Sequence, residues 1–301
     1  MSGTLPPPGV PRCADGARER RDPLLGTASP GRSWVLVEHP GRWPVRGFVD
    51  LPLALEIRRR VALAAAGAGA RILLVRRHGR RDGDEALRWA VVHHEDSGAH
   101  RQTWGTWADE DDLLALPDAL GAPGHTGHPP VLLVCAHGVH DTCCAVRGRP
   151  VAAALAARWP ELTWECSHVG GDRFAANLVV APDGVYYGGL DAGSAVDVVA
   201  DHLAGRIGPT FLRGYTTLPA PEQVAVVEAL RVLGPLGRHE LEVLGSEPAE
   251  EGWEVRLRRR GIGTLVTVQL ATERSRPEQL TCRAAGPSTV ASHRATAVHV
   301  G

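Results

Sequence analysis

The cysteines of this chain are concentrated in one short segment. Four of the six lie between Cys135 and Cys166 in a sequence of 301 residues. An apolar run, VLLV at 131–134, precedes the first of them, and a second run, LTWE at 162–165, precedes the last. An Ala-rich helix, predicted over about 148–159, separates the two runs. This pattern predicts a β-α-β unit with parallel strands, and therefore an α/β fold.

The predicted unit brings reactive side chains to one edge of its sheet. Parallel strands end at the same edge, and neighbouring strands are only ~4.8 Å apart. Cys135 leaves the first strand there, His168 leaves the second, and Cys144 comes just before the helix. Open α/β sheets bind ligands at this edge. Thiolate and imidazole suit zinc and iron–sulfur clusters, so we expect a metal centre, which Gly170 and Gly171 would let the backbone approach closely.

Charge and hydropathy exclude several classes of protein. The formal net charge is −1, so no general attraction to nucleic acid or to a membrane surface is expected. No uninterrupted apolar run reaches the ~18 residues of a membrane span. The Pro-rich, charged N-terminus lacks the apolar region of a secretory signal. We therefore expect a cytoplasmic protein without nucleic-acid or membrane partners, and in that reducing compartment clustered cysteines favour metal or redox chemistry over disulfides.

The chain divides into four predicted parts. Residues 1–32 form an irregular arm, 33–125 an N-terminal α/β half, 126–235 the domain with the metal site, and 236–301 a small β-rich segment. The Pro- and Gly-rich stretch 116–129 is expected to be a linker. The run WVLVEHPG in the first half resembles VLLVCAHG in the second. The N-terminal half is therefore predicted to be related to the second half, or a partial duplicate of it.

Three local predictions concern the surroundings of the site. Pro150 is expected in the first turn of the helix, where proline is tolerated, so that 135–146 would form a loop. The C-terminal segment is expected to form an antiparallel sheet from the runs HELEVLG, WEVRLRRR, TLVTVQLA and QLTCRAA. Cys13 and Cys282 lie outside the cysteine-rich segment, and we expect them to be buried or incidental thiols.

Two motifs resemble a known family. The run CAHGVHDTCC at 135–144, followed by ECSHVGGDRFAAN at 165–177, resembles the sucrase/ferredoxin-like family, as do WVLVEHPGRWP and LTCRAAGPS near the two ends. The resemblance implies a thioredoxin-like ferredoxin domain that binds a [2Fe–2S] cluster. Characterised members use two cysteines nine positions apart and two histidines in an H-x-G-G-H motif. Cys135 and Cys144 match the cysteine pair, and His168 matches the first histidine.

The chain departs from the family motif at the second histidine, which is Asp172 here. A carboxylate is a harder ligand than imidazole at a site that favours soft donors. Besides Asp172, the fourth ligand could be Cys143, Cys166 or water. Cys166 is a strong rival, because alternate residues of a strand point to the same face and it lies two positions before His168.

Three functions are compatible with this reading. The first is an electron-transfer protein with one [2Fe–2S] cluster and a redox protein as its partner. The second is a structural zinc protein, although structural zinc sites usually contain closely spaced C-x2–4-C pairs. The third is a thioredoxin-like thiol oxidoreductase, which the lack of a C-x-x-C motif disfavours. Sucrose hydrolysis is not supported, because no pair of carboxylates stands out as acid and nucleophile.

Overall fold

The computed structural model describes residues 12–79 and 86–301. The N-terminal part consists of α1 (Cys13–Arg20), β1 (Ser33–Glu38), α2 (Leu55–Gly67), β2 (Ala70–Arg76), β3 (Leu87–His93), β4 (Arg101–Trp107) and α3 (Ala115–Gly121). The middle part consists of β5 (Val131–Cys135), α4 (Thr142–Arg158), β6 (Thr163–Cys166), β7 (Leu178–Ala181), β8 (Val185–Tyr187), α5 (Ala192–Leu203), β9 (Leu212–Tyr215) and α6 (Ala220–Leu233). Four strands follow, namely β10 (Leu241–Ala249), β11 (Gly252–Arg259), β12 (Leu265–Arg274) and β13 (Ala291–Val300).

One mixed sheet runs through both halves in the order β4-β3-β1-β2-β6-β5-β7-β8-β9. The pairs β1–β2 and β5–β6 are parallel, and each is connected through a helix, as predicted for the second pair. Their neighbours β3 and β7 run antiparallel to β1 and β5. Each half therefore repeats the order strand, helix, parallel strand and two further strands. The two halves meet where β2 pairs antiparallel with β6.

The apolar core lies on both faces of this sheet, which explains the continuous apolar runs of the central strands. Every residue of β1 and β5 is buried. Helices α2 and α3 cover one face of the first half, where Val61 and Leu116 join a cluster around Val35 and Val37. Helix α4 packs on β5 and β6, and its residues Val151 and Leu155 are fully buried. The sheet edge that carries the cysteines is thus held by a rigid, close-packed layer.

A second, four-stranded antiparallel sheet contains β10 to β13 in sequence order. Its buried side chains pack against α6, for example Val255 and Val268 with Val224 and Leu230. The predicted α/β class with a β-rich C-terminal segment is confirmed. The predicted strand QLTCRAA is wrong, because the fourth strand is β13 and residues 279–285 are irregular.

The predicted start of the helix at the site is also wrong. Helix α4 begins at Thr142, and Pro150 lies inside it. The Asp141 side chain caps this end, because it accepts a hydrogen bond of 2.8 Å from the backbone N–H of Cys143. Asp141 and not Pro150 therefore determines where the helix begins. Cys143 and Cys144 lie in its first turn and not in a loop.

Two segments expected to be irregular contain helices. The predicted arm 1–32 includes α1, which packs against the turn after β6 and buries Cys13 and Ala14. The predicted linker 116–129 overlaps α3, whose Leu116 is fully buried. Both helices are short and have weak sequence signals, so tertiary burial decides their structure. None of the helices in the described residues is long and apolar enough to cross a membrane.

Candidate metal centre

Three predicted ligands meet at the carboxyl edge of β5 and β6. Cys135 is the last residue of β5, Cys144 lies in the first turn of α4, and His168 follows β6 by two residues. One ligand atom of each lies within 4.8 Å of the other two. Both thiols are buried, whereas a quarter of the His168 side chain, 26%, is exposed. The site is therefore closed on the protein side and open to solvent along its histidine.

Asp172 also reaches this site. It begins a single 3-10 turn, Asp172–Phe174, and is buried. Its Oδ1 atom lies 2.9 Å from Nδ1 of His168 and 3.2 Å from the sulfur of Cys144. The ring of His140 stacks on His168 at a centroid distance of 3.8 Å. His140, His168 and Asp172 also have ligand atoms within 4.8 Å of one another, so a carboxylate and a second imidazole border the three predicted ligands.

The charges at the site favour a bound cation. A hydrogen bond from Cys144, helped by His168, lowers the pKa of Cys135 to about 5 although burial opposes this. Burial disfavours the His168 imidazolium, but Asp172 and Cys135 outweigh burial and raise the pKa of His168 to about 9. The lowered pKa values of Cys135 and Asp172 favour the anionic form of both groups. The His168 imidazolium lies next to these anions, where a bound cation would be stabilised in the same way.

The loop between His168 and Asp172 is shaped by its two glycines and by one buried arginine. Gly170 and Gly171 have φ angles of +99° and +78°, a region that favours glycine. The guanidinium of Arg213 donates to the carbonyl of Gly170 at 2.8 Å and to the side-chain oxygen of Asn177 at 2.9 Å. A Cβ on Gly171 would lie 2.3 Å from this guanidinium. Arg213 therefore fixes the loop, a role that no sequence motif indicated.

The two rival ligands occupy different places. Cys166 is fully buried and pairs in register with Cys135 on the neighbouring strand, but its sulfur belongs to none of the close donor groups in the described residues. Cys143 points into a separate group with Cys13 and Cys282. The expectation that the last two are incidental thiols gave no hint of this second group.

The second group forms from three distant segments. Cys13 opens α1, Cys143 lies in the first turn of α4, and Cys282 lies in the irregular segment before β13. Asp141 joins them, and all four ligand atoms lie within 4.8 Å of one another. Because Cys13 and Cys282 are 269 residues apart, no sequence spacing could have revealed this site.

A comparison with family models identifies the chain. The model described as Sucrase/ferredoxin-like matches residues 24–214. The chain belongs to the sucrase/ferredoxin-like family. The family match contains both halves of the large sheet and the whole Cys135 site, but neither Cys13 nor Cys282. Searches of curated proteins and of solved structures found no match.

The family name implies an iron–sulfur group, and the residues present fit one in their chemistry. Two thiols, an imidazole and a carboxylate supply four donors, two of them sulfur as in mixed Cys/His ligation. Nδ1 of His168 is buried beside the Asp172 carboxylate at 2.9 Å. One ligand atom of His168 also lies within 4.8 Å of both thiol sulfurs, so a metal that replaced the ring proton would meet soft donors directly.

Proposed function

We propose that this protein transfers electrons by means of one [2Fe–2S] cluster, bound by Cys135, Cys144, His168 and Asp172 in a thioredoxin-like domain. The observation that carries the proposal is the meeting of two buried thiols, one imidazole and one buried carboxylate at a single sheet edge. Soft thiolate donors favour iron–sulfur clusters. When bound, such a cluster accepts and releases one electron at a time.

The chain's own residues would supply three further conditions for electron transfer. Burial of Cys135 and Cys144 would exclude water from the sulfur side of the site. The N-terminal end of α4 carries a partial positive charge next to these anionic ligands. His168 and His140 lie at the open side, with about a quarter to a third of each side chain exposed, 26% and 31%. A redox partner protein would approach at these histidines, because electrons pass most easily where the ligands reach the surface.

A single zinc ion is the second candidate, and one observation favours it. The ligand atoms of Cys135, Cys144 and His168 all lie within 4.8 Å of one another, and the carboxylate of Asp172 touches Cys144 and His168 directly. The three donors Cys135, Cys144 and His168 are close enough to bind one ion together, and Asp172 is the neighbour that would complete a tetrahedral set. The first site would then be structural, and the protein would not transfer electrons through it.

The test is the visible spectrum of protein purified without oxygen, with iron, sulfide and zinc assayed in the same sample. We expect a red-brown protein with about two irons and two sulfides per chain, as one [2Fe–2S] cluster requires. The colour should bleach on reduction with dithionite and return on exposure to air. Cys135→Ser should abolish both the colour and the iron.

Cys166→Ala is the matched control, since it removes a neighbouring buried thiol whose sulfur lies outside the donor group. It should keep the colour. A wild-type sample that remains colourless after reconstitution with iron and sulfide would refute the electron-transfer proposal. Zinc that is lost in Cys135→Ser would then support the structural zinc site.

A further inference from the structure

The second cysteine group has the dimensions of one tetrahedral metal site. The sulfur–sulfur distances are 3.6 Å for Cys13–Cys143, 3.6 Å for Cys143–Cys282 and 3.5 Å for Cys13–Cys282. Zinc–sulfur bonds of about 2.3 Å in a tetrahedron place sulfur atoms about 3.8 Å apart. The three sulfurs thus form a nearly equilateral triangle, close in size to one face of such a tetrahedron. An iron–sulfur cluster would separate some of these thiolates onto different irons, whereas equal short edges suit a single ion.

Asp141 lies at the fourth corner. Its Oδ2 atom is 3.5 Å from the sulfur of Cys13. A zinc ion with a sulfur at about 2.3 Å and a carboxylate oxygen at about 2.0 Å requires an oxygen–sulfur distance of about 3.5 Å. The Asp141 carboxylate is held in this position by hydrogen bonds from the backbone N–H groups of Cys143 and Cys282, at 2.8 Å and 2.7 Å. The fourth donor is therefore fixed before any ion binds.

The charges of this group call for a cation. Asp141 is 1% exposed, and no basic side chain of the described residues forms an ion pair with it. Cys13 and Cys143 are buried as well. Hydrogen bonds from two backbone N–H groups and from the Thr281 hydroxyl satisfy this carboxylate but do not neutralise it, and deprotonation of the adjacent thiols would add further negative charge. Helix α4 directs its N-terminal end toward the group, which stabilises thiolate anions but does not replace a bound ion.

We propose that Cys13, Cys143, Cys282 and Asp141 bind one zinc ion, at a site separate from the Cys135 centre. Consecutive cysteines then serve two sites, because Cys143 turns toward the zinc and Cys144 toward the first centre. The zinc would clip α1 and the segment around Cys282 onto the first turn of α4. A metal cross-link between residues 269 positions apart restricts the unfolded chain strongly, as closure of a long loop does.

The direct test is zinc X-ray absorption on the full-length wild-type protein, grown with zinc and kept reduced. We expect three sulfur ligands at about 2.3 Å and one oxygen ligand at about 2.0 Å. Two sulfurs with the scattering of an imidazole ring would place the zinc in the Cys135 centre and overturn the proposal. So would a protein without zinc, or a disulfide between any two of the three cysteines in the reduced sample.

Zinc content of single variants provides the second measurement. Cys282→Ser changes the most exposed of the three cysteines and disturbs packing least. It should lose about one zinc per chain, whereas Cys135→Ser and Cys166→Ala should keep it. Equal zinc in wild type and Cys282→Ser would overturn the proposal. Iron and sulfide, measured on the same samples, report the first centre independently, so failure of one proposal does not imply failure of the other.

Discussion

At the scale of single residues, Asp172 is the position where the chain differs from the family's histidine motif. It is buried and contacts two of the other predicted ligands, Cys144 and His168. A carboxylate adds one negative charge to the ligand set that a neutral imidazole would not. More negative charge near a cluster favours its oxidised form, so Asp172 should hold the reduction potential low.

Asp172→His is therefore expected to keep the cluster and raise its reduction potential, because a neutral donor replaces an anionic one. Asp172→Ala should instead lose most of the iron, since water would have to replace a ligand. A redox titration followed by visible absorption measures the potential, and an iron assay measures retention. Full iron retention in Asp172→Ala, with loss in Cys166→Ala, would show that Cys166 is the fourth ligand.

At the scale of elements, helix α4 lies unusually close to the strand that carries Cys135. Gly148 faces the end of β5, and a Cβ at this position would lie 2.0 Å from the carbonyl oxygen of Cys135. The atom it would meet is backbone, so the contact can be relieved only if the helix or the strand moves. This close approach places the first turn of α4, with its two cysteines, directly beside the strand end.

Gly148→Ala should therefore destabilise the protein by about 1–3 kcal/mol, the usual cost of overpacking, although alanine is the better helix former. Urea denaturation gives the free energy of unfolding. The iron content shows whether displacement of the end of β5, which carries Cys135, weakens the metal centre. Gly67→Ala is the matched control, because Gly67 ends α2 and a Cβ there would meet nothing within 4 Å. It should be neutral or slightly stabilising, and equal destabilisation by both substitutions would contradict the argument.

The same elements mark how far the sequence predicts this structure. The apolar runs at 131–134 and 162–165 predict β5 and β6, because the side chains of both strands are buried. The start of α4 was misplaced, since Pro150 is a stronger local signal than the cap at Asp141. Sequence patterns report local structure, and they placed Cys135, Cys144 and His168 at one edge through a local β-α-β rule. Cys13 and Cys282 come together only through tertiary packing, which leaves no local pattern.

At the scale of the whole molecule, the two halves of the large sheet meet through very few backbone pairs. Strands β2 and β6 pair only at Val75–Cys166 and Arg76–Glu165. The Glu165 carboxylate is buried and reinforces this junction through Arg76 at 2.8 Å and His78 at 2.9 Å. The division into domains at 33–125 and 126–235 stays a prediction. One sheet continues through both regions, so the β2–β6 junction belongs to each of them.

Asp183 is a second point where distant parts of the chain meet. Its carboxylate oxygens lie 2.8 Å from Nε2 of His100, in the N-terminal half, and 2.7 Å from Nε2 of His202, on α5. Arg238, from the C-terminal part, donates to the Asp183 carbonyl. Burial opposes ionisation, but His100 and His202 hold the pKa of Asp183 well below its usual value. Asp183 thus ties three regions together as an anion.

Asp183→Asn should lower the free energy of unfolding at pH 7 by about 1–3 kcal/mol, because the two histidines lose a partly buried anionic partner. A depressed pKa contributes stability that is fully present above the unfolded-state value of about 3.9 and is lost as the pH falls toward the folded-state value. The difference in the free energy of unfolding between wild type and Asp183→Asn should therefore become smaller below about pH 4, by up to about 1.4 kcal/mol per pH unit. Urea denaturation at pH 7, 4 and 3 measures it. Asp197→Asn, at an exposed position of α5, is the control and should change the free energy of unfolding at pH 7 by less than about 0.5 kcal/mol. A stability difference between wild type and Asp183→Asn that stays constant with pH would contradict the ionic role.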